Sequence, residues 1–146
     1  MRLQTWLLLL YKIPPQPTAR RVYIWRKLKR LGAWVQHDAV WILPATSRNR
    51  EQFQWLASEI VERHGDATVW EAQLTALAQD ENLIQQFNEQ VDGEYRKILA
   101  ALRRQDADLA ALSRRFQHAQ SKDYFQSELG RRVRAALMSA RDGAAR

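Results

Sequence analysis

The residues best suited to binding chemistry are basic side chains that follow the proline-rich segment "IPPQP" near the N-terminus. Five of them form the predicted contact set: Arg20, Arg21, Arg26, Lys29 and Arg30. In a helix of 3.6 residues per turn, the last three share one side because they are spaced i, i+3 and i+4. Clustered guanidinium and ammonium groups suit phosphate oxygens. The spacing therefore predicts a polyanion-binding surface, with nucleic acid as the leading partner.

The start of that helix supports the same interpretation. Arg20 and Arg21 would lie beside exposed backbone amides, where the helix dipole disfavours cations but a bound phosphate would offset it. Like charges along the outer side also destabilise a helix slightly. We therefore predict that all five side chains contact the DNA backbone. The alternative is a solvated helix whose cations pair with acidic residues from the middle of the chain.

The charge distribution bears on this choice. Residues 1–50 hold ten basic residues (Lys and Arg) and one acidic residue. Residues 51–100 hold three basic and ten acidic residues, and residues 101–146 hold ten basic and five acidic residues. A chain that is basic, then acidic, then basic indicates a polarised surface. The formal net charge of +7 fits a polyanion partner.

Several catalytic chemistries lack their residues. Cysteine is absent, which excludes disulfides and thiol nucleophiles, and His37, His64 and His118 show no metal-ligand spacing. No Gly-rich phosphate loop or zinc-protease motif occurs. A metal-dependent nuclease would need a carboxylate after the first strand, where Tyr11 and Lys12 stand instead; the first acidic residue is Asp38. We therefore expect no enzyme and no cofactor, and keep the nuclease as a third hypothesis.

The elements that must position the basic helix begin with a strand over residues 6–11, a pattern typical of burial on both faces. The prolines end this strand, and Thr18 is the predicted N-cap of a helix that runs to about Leu31 and ends at Gly32. Ile24, Leu28 and Leu31 share the face expected to pack on a sheet. Two short strands then form a predicted hairpin around Asp38 and Ala39.

The next helix is predicted over about Arg48–Arg63, with Ser47 as its N-cap and Phe53, Leu56, Ile60 and Val61 as its apolar stripe. A fourth strand follows at about 67–74. The order β-α-β-β-α-β predicts an α+β, ferredoxin-like domain over residues 1–76, with helices on one face of the sheet. All six tryptophans fall in this half, which predicts a compact core there.

The rest of the chain is rich in Ala, Gln, Glu, Arg and Leu and has no proline. Apolar residues at three- and four-residue spacing predict helices near 79–104, 106–119 and 123–141. We expect residues 77–146 to form a helical extension packed on or beside the first domain. The N-terminal apolar run is too short for a membrane span or a signal-peptide core, so a cytoplasmic protein is expected.

The run "WLLLLYKIPPQPTARRVYIWRKLKRLGA" resembles the start of the N-terminal domain of the chromate-resistance regulator ChrB family. That family combines an apolar strand, an I-P-x-x-P loop and R-V-x-x-W-R-x-L-x-x-L-G-A. "VWILPAT", "EQFQWLASEIVERHGDATVWEAQL" and "DYFQSELGRRVRAAL" resemble later segments of the same domain. Arg21 and Arg26 both match the family pattern and suit phosphate.

The resemblance implies a cytoplasmic DNA-binding regulator of a chromate-resistance operon. Full-length members carry a second, C-terminal domain thought to help sense chromate, and this chain ends without it. We therefore expect a stand-alone promoter-binding module, a partner of a separate sensor-domain protein, or a regulator with another signal. The alternative is a protein-interaction module without direct DNA contact, and a homodimer would fit either hypothesis.

Overall fold

A computed structural model of the chain describes residues 2–37 and 40–145. The chain divides into two compact units, Met1–Asn82 and Leu83–Arg146. The elements are β1 Trp6–Lys12, α1 Thr18–Leu31, β2 Trp34–Gln36, β3 Val40–Pro44, α2 Ser47–Glu62, β4 Asp66–Ala72, α3 Leu77–Leu102, α4 Leu109–Ser121 and α5 Glu128–Ala145. No helix in the described ranges has the length and apolarity needed to cross a bilayer.

The sheet of the first unit has four strands in the order β2-β3-β1-β4, and each neighbouring pair is antiparallel. The prediction of an α+β protein is confirmed. The predicted turn at Asp38 and Ala39 lies outside the described residues. β1 occupies an inner position, yet only part of it is buried: Leu7 and Leu9 are fully covered, whereas Leu10 on the opposite face is exposed. The expectation of burial on both faces was therefore wrong at that end of the strand.

Both predicted N-caps of the first two helices were one residue too late. Thr18 is the first residue of α1, and the cap position belongs to Pro17, which has an extended backbone and offers no side-chain hydrogen bond. At α2 the cap is Thr46, whose Oγ1 accepts a hydrogen bond from the Asn49 amide at 3.0 Å. Gly32 ends α1 with a φ of 77°, as predicted, because this left-handed conformation strains other residues.

The first unit has a core of aliphatic and aromatic side chains drawn from the sheet, α1 and α2. Its fully covered members include Leu7, Leu9, Ile24, Leu28, Leu43, Phe53 and Ile60. The six tryptophans of this half indicated a compact core, and only some of them lie in it. Trp6 and Trp41 are buried, but Trp25, Trp55 and Trp70 keep 50%, 66% and 58% of their surface exposed. Val61 is also exposed and lies off the buried stripe of α2.

The second unit packs α3, α4 and α5 around one apolar cluster. Its buried members are Val91, Tyr95, Ile98, Leu112, Phe116, Ala119, Val133 and Leu137. The three helices are those the sequence predicts, with later starts for two of them. α4 begins at Leu109 because the carboxylate of Asp108 accepts a hydrogen bond from the Ala111 amide.

α5 begins at Glu128, five residues after the predicted start, because the preceding segment makes its own contacts. The carboxylate of Asp123 accepts hydrogen bonds from the Tyr95 hydroxyl at 2.8 Å and from the Ser127 amide at 2.9 Å. Gln126 has a φ of 54°, which a helix cannot contain. These contacts hold residues 123–127 in a non-helical turn.

Candidate nucleic-acid interface

α1 presents its basic residues around an exposed arc opposite its buried face. Ile24 and Leu28 are fully covered and define the inner side of the helix. At 100° per residue, Arg26 points directly away from them, with Lys29 and Arg30 to either side. All three are exposed. The structure therefore brings these three of the five predicted side chains together on the outer side of α1.

Arg20 lies apart, on the flank of α1 that faces α2. It is half-buried, and its Nη1 donates a hydrogen bond of 3.5 Å to the backbone carbonyl of Arg63 just beyond the end of α2. A cation at a helix C-terminus is favoured by the helix dipole. Arg20 thus has a structural partner in the first unit, and its contact with a phosphate stays a prediction.

The rest of this flank is also internally paired. Lys27 Nζ lies 2.8 Å from Glu59 Oε1 on α2. The ring of Tyr23 has Lys27 Nζ 4.9 Å from its centroid and the guanidinium carbon of Arg63 at 4.1 Å. These contacts join α1 to α2 through charge and cation–π attraction. Pairing with the acidic middle of the chain, the alternative hypothesis for the basic helix, therefore applies to Lys27.

The same contacts shift the pKa values of the pair. A hydrogen bond to Glu59 is the main cause that raises the pKa of Lys27. Burial alone would raise the pKa of Glu59, but hydrogen bonds from Lys27 and Tyr23 together with nearby positive charge lower it overall. Both residues are therefore held in their charged forms at neutral pH.

Arg21 lies on the other flank, is exposed, and has its charge near Tyr11 of β1. Burial raises the pKa of Tyr11, while a hydrogen bond with Trp41 and the charge of Arg21 oppose that rise. Arg20 and Arg21 thus fall on opposite flanks of α1, and the structure does not gather them with Arg26. Their contact with DNA stays a prediction.

Lys29 packs against aromatic rings and remains exposed. Its Nζ lies 5.7 Å from the ring centroid of Trp25 and 5.8 Å from that of the buried Trp41. Contacts of this kind fix the position of an ammonium group without neutralising it. Lys29 therefore keeps its charge available on the outer side of α1.

Arg26 and Arg30 have no neutralising partner. Within residues 2–37 and 40–145, neither side chain makes a hydrogen bond or an ion pair. Arg30 borders a cavity of about 170 Å³ between α1 and α2, which Gln52 and Trp55 also line. The exposed indole of Trp55 thus lines the same cavity as the unpaired guanidinium of Arg30, an arrangement that suits contact with the sugars or bases of a nucleic acid. Sequence reasoning did not single out Trp55, because it used the six tryptophans of this half together as the indication of a compact core.

The described residues hold no cluster of three or more metal-ligating side chains. Asp38, whose substitution would test the nuclease hypothesis, lies outside them. His37 and His64 both have positive φ values, which histidine tolerates in turns, and neither lies near a second histidine in the sequence. The backbone at both positions is that of a turn.

A family model described as "Protein ChrB, N-terminal" matches residues 21–117. The matched range begins in α1 and ends in α4, so it includes Arg26, Lys29, Arg30 and the whole sheet from β2 onward. Neither the curated proteins nor the solved structures yield a match. Because the family match spans well over half of the chain, the chain belongs to the family of ChrB N-terminal domains.

Proposed function

We propose that this chain is a DNA-binding transcriptional regulator of a chromate-resistance type operon, and that it binds promoter DNA through the outer side of α1. One observation carries the proposal. Arg26 and Arg30 are exposed and unpaired among the described residues, although Lys27, which lies between them in sequence, forms an ion pair with Glu59. The acidic middle of the chain, residues 51–100, neutralises Lys27 on one flank of α1 through Glu59, and the outer side of the helix stays positive.

The arrangement suits the DNA backbone more than a small ligand. Three exposed cations along one helix side present several donors to successive phosphates, and phosphate contacts of this kind fix a protein on a duplex. Base reading would require further side chains, and the exposed indoles beside α1 are the candidates. Membership in the ChrB N-terminal family supports a regulatory role, and we propose binding rather than catalysis.

We also infer that the first unit is a ferredoxin-like domain. Its first six elements follow the order β-α-β-β-α-β, and its strands follow the order β2-β3-β1-β4. Such a sheet would leave α1 free on the side away from the strands. We further propose that the protein acts as a homodimer, since symmetric regulators read symmetric sites, or together with a separate sensor protein.

Affinity for the duplex upstream of its own gene tests the proposal. The variant Arg26→Glu/Arg30→Glu should lose at least tenfold in affinity at about 0.1 M salt, because each reversal replaces a phosphate contact by repulsion. The matched control is Arg2→Glu/Arg48→Glu, which changes net charge equally at two other exposed arginines. Both variants should unfold at the wild-type temperature. Equal affinities for the two variants would refute the assignment to α1.

A second candidate function, protein interaction without DNA contact, is favoured by the exposed tryptophans. Trp25, Trp55 and Trp70 place large apolar surface in water, and indoles are enriched at protein interfaces. A purified protein that is dimeric, that loses its dimer in Trp55→Ser, and that is not retained on DNA at low salt would favour this second function over the first.

A further inference from the structure

The second unit carries a cationic cleft between α3 and α4 that the proposed role of α1 does not use. The cleft has a volume of about 490 Å³. Its cationic and titratable lining residues are Lys97 from α3 and Arg114, Arg115 and His118 from α4. Ile98 and Ala111 supply apolar surface. The cleft thus combines several donors with a small apolar patch.

The charges in the cleft are not cancelled within the protein. In residues 2–37 and 40–145, the side chains of Lys97, Arg114 and Arg115 make no hydrogen bond or ion pair, and all three residues are exposed. Glu94 is the acidic residue that lines the cleft, and Lys122 Nζ lies 2.7 Å from its Oε1. Since Lys122 cancels the charge of Glu94, three positive charges stay unopposed around one opening.

Such crowding is unfavourable unless an anion relieves it. Arg114 and Arg115 lie about 100° apart on α4, with His118 between them at i+4 and i+3, so the two guanidinium groups share one side of the helix. Arginine suits phosphate because its guanidinium can donate two parallel hydrogen bonds, while lysine adds a point charge. The apolar residues beside them fit the sugar that follows a phosphate.

We propose that the α3–α4 cleft is a second phosphate-binding surface, separate from the outer side of α1, through which the second unit contacts the backbone of duplex DNA. The inference rests on the proposed function for its choice of duplex DNA as the partner. It also assigns a role to the second basic segment of the chain, residues 101–146, which α1 leaves unexplained.

The salt dependence of duplex binding tests this. Each phosphate contact contributes about 0.9 to the slope of log K against log salt, so Arg114→Ala/Arg115→Ala should reduce that slope by about 1.8. Affinity should fall by a similar factor on upstream and unrelated duplexes, on the order of tenfold, because phosphate contacts carry no sequence information. The conservative Arg114→Lys/Arg115→Lys should retain most of the slope.

The matched control is Arg103→Ala/Arg132→Ala, which removes two exposed charges of the same unit outside the cleft. A slope equal to that of wild type in the cleft variant, or a reduction no larger than in the control, would overturn the proposal. It would also be overturned if the cleft variant binds duplex normally but loses binding to polyglutamate, which would indicate a cation surface for acidic proteins.

Measuring Arg26→Glu/Arg30→Glu in parallel separates the two assignments. If that variant loses affinity while the cleft variant does not, the α1 surface stands and the cleft proposal fails. If the cleft variant alone loses slope, the cleft proposal stands and the assignment to α1 fails.

Discussion

A buried carboxylate near the start of α3 is expected to contribute strongly to the stability of the first unit. Asp80 is 1% exposed. Its Oδ1 accepts a hydrogen bond from the indole N–H of Trp6 at 2.7 Å, and its Oδ2 accepts one from the backbone N–H of Gln4 at 3.0 Å. Asp80 also lies in the first turn of α3, where the helix dipole favours a negative charge. These contacts connect the residues at the start of β1 to the first turn of α3.

We expect Asp80→Ala to lower the free energy of unfolding by about 3–5 kcal/mol. A hydrogen bond to a charged group contributes about 1.5–3 kcal/mol, and two are lost, one of them from the buried indole N–H of Trp6. Asp80→Asn should cost roughly half as much, because its amide oxygen can still accept one hydrogen bond. Glu51→Ala is the matched control: this exposed carboxylate of α2 belongs to the same unit, so the cost should stay within about 0.5 kcal/mol.

Denaturant unfolding followed by tryptophan fluorescence is the assay. All six tryptophans lie before residue 83, so the signal reports on the unit that contains Asp80. A double-mutant cycle with Trp6→Phe should give a coupling of about 1–2 kcal/mol, because each single change breaks the same bond. A loss below about 1 kcal/mol for Asp80→Ala, or a coupling near zero, would refute this account of the junction.

Three further predictions concern a helix cap, a packed glycine and a buried hydroxyl. Thr46→Ala should cost about 1 kcal/mol in urea unfolding, whereas Thr18→Ala should cost well under half of that because Thr18 makes no capping bond; equal losses would contradict the cap assignment. Gly130→Ala should lower the melting temperature, since an added Cβ would lie 2.8 Å from the ring of Tyr95. At Gly93 an added Cβ meets nothing within 4 Å, so Gly93→Ala should raise the melting temperature, with a gain in the free energy of unfolding of up to about 1 kcal/mol. Burial, and then the hydrogen bond to the carboxylate of Asp123, raise the pKa of Tyr95 above its ordinary value of 10. The stabilisation that the Tyr95 hydroxyl gives the folded state is therefore complete below pH 10 and is lost as the pH rises further. The stability difference between wild type and Tyr95→Phe should therefore shrink between pH 9.5 and about 11, and a constant difference would contradict this.

The sequence predicted the elements of the fold well because their periodicity is strong. It did not fix their ends, since neighbouring residues compete for the cap. Thr46 and Ser47 are both good N-caps, and only the geometry of the Asn49 amide decides between them. The start of α5 was likewise decided by a tertiary contact, the bond from Tyr95 to Asp123, which spans 28 residues.

In the candidate site, too, local spacing predicted one part of the arrangement and tertiary contacts decided the rest. Helical spacing was enough to place Arg26, Lys29 and Arg30 on one side of α1. It could not show that Lys27 would pair with Glu59, 32 residues away, or that Arg20 would reach the carbonyl of Arg63. Those pairings depend on how α1 and α2 pack, and they determine which cations stay free.

Composition does not show which of the tryptophans are buried. Large aromatic residues are usually buried in part, so six in one half of the chain indicated a core. The faces to which Trp55 and Trp70 belong depend on helix rotation and strand register, which composition does not encode. Their exposure in the folded chain is what makes them candidates for contact with a partner.

The most direct test of the central claim compares the affinities of the wild-type protein for two duplexes of equal length at physiological salt: the upstream region of its own gene and an unrelated sequence. A regulator that reads its promoter should bind the upstream duplex about a thousandfold more tightly or better, and Arg26→Glu/Arg30→Glu should weaken both complexes. Equal affinity for the two duplexes, or no binding to either at low salt, would contradict the account.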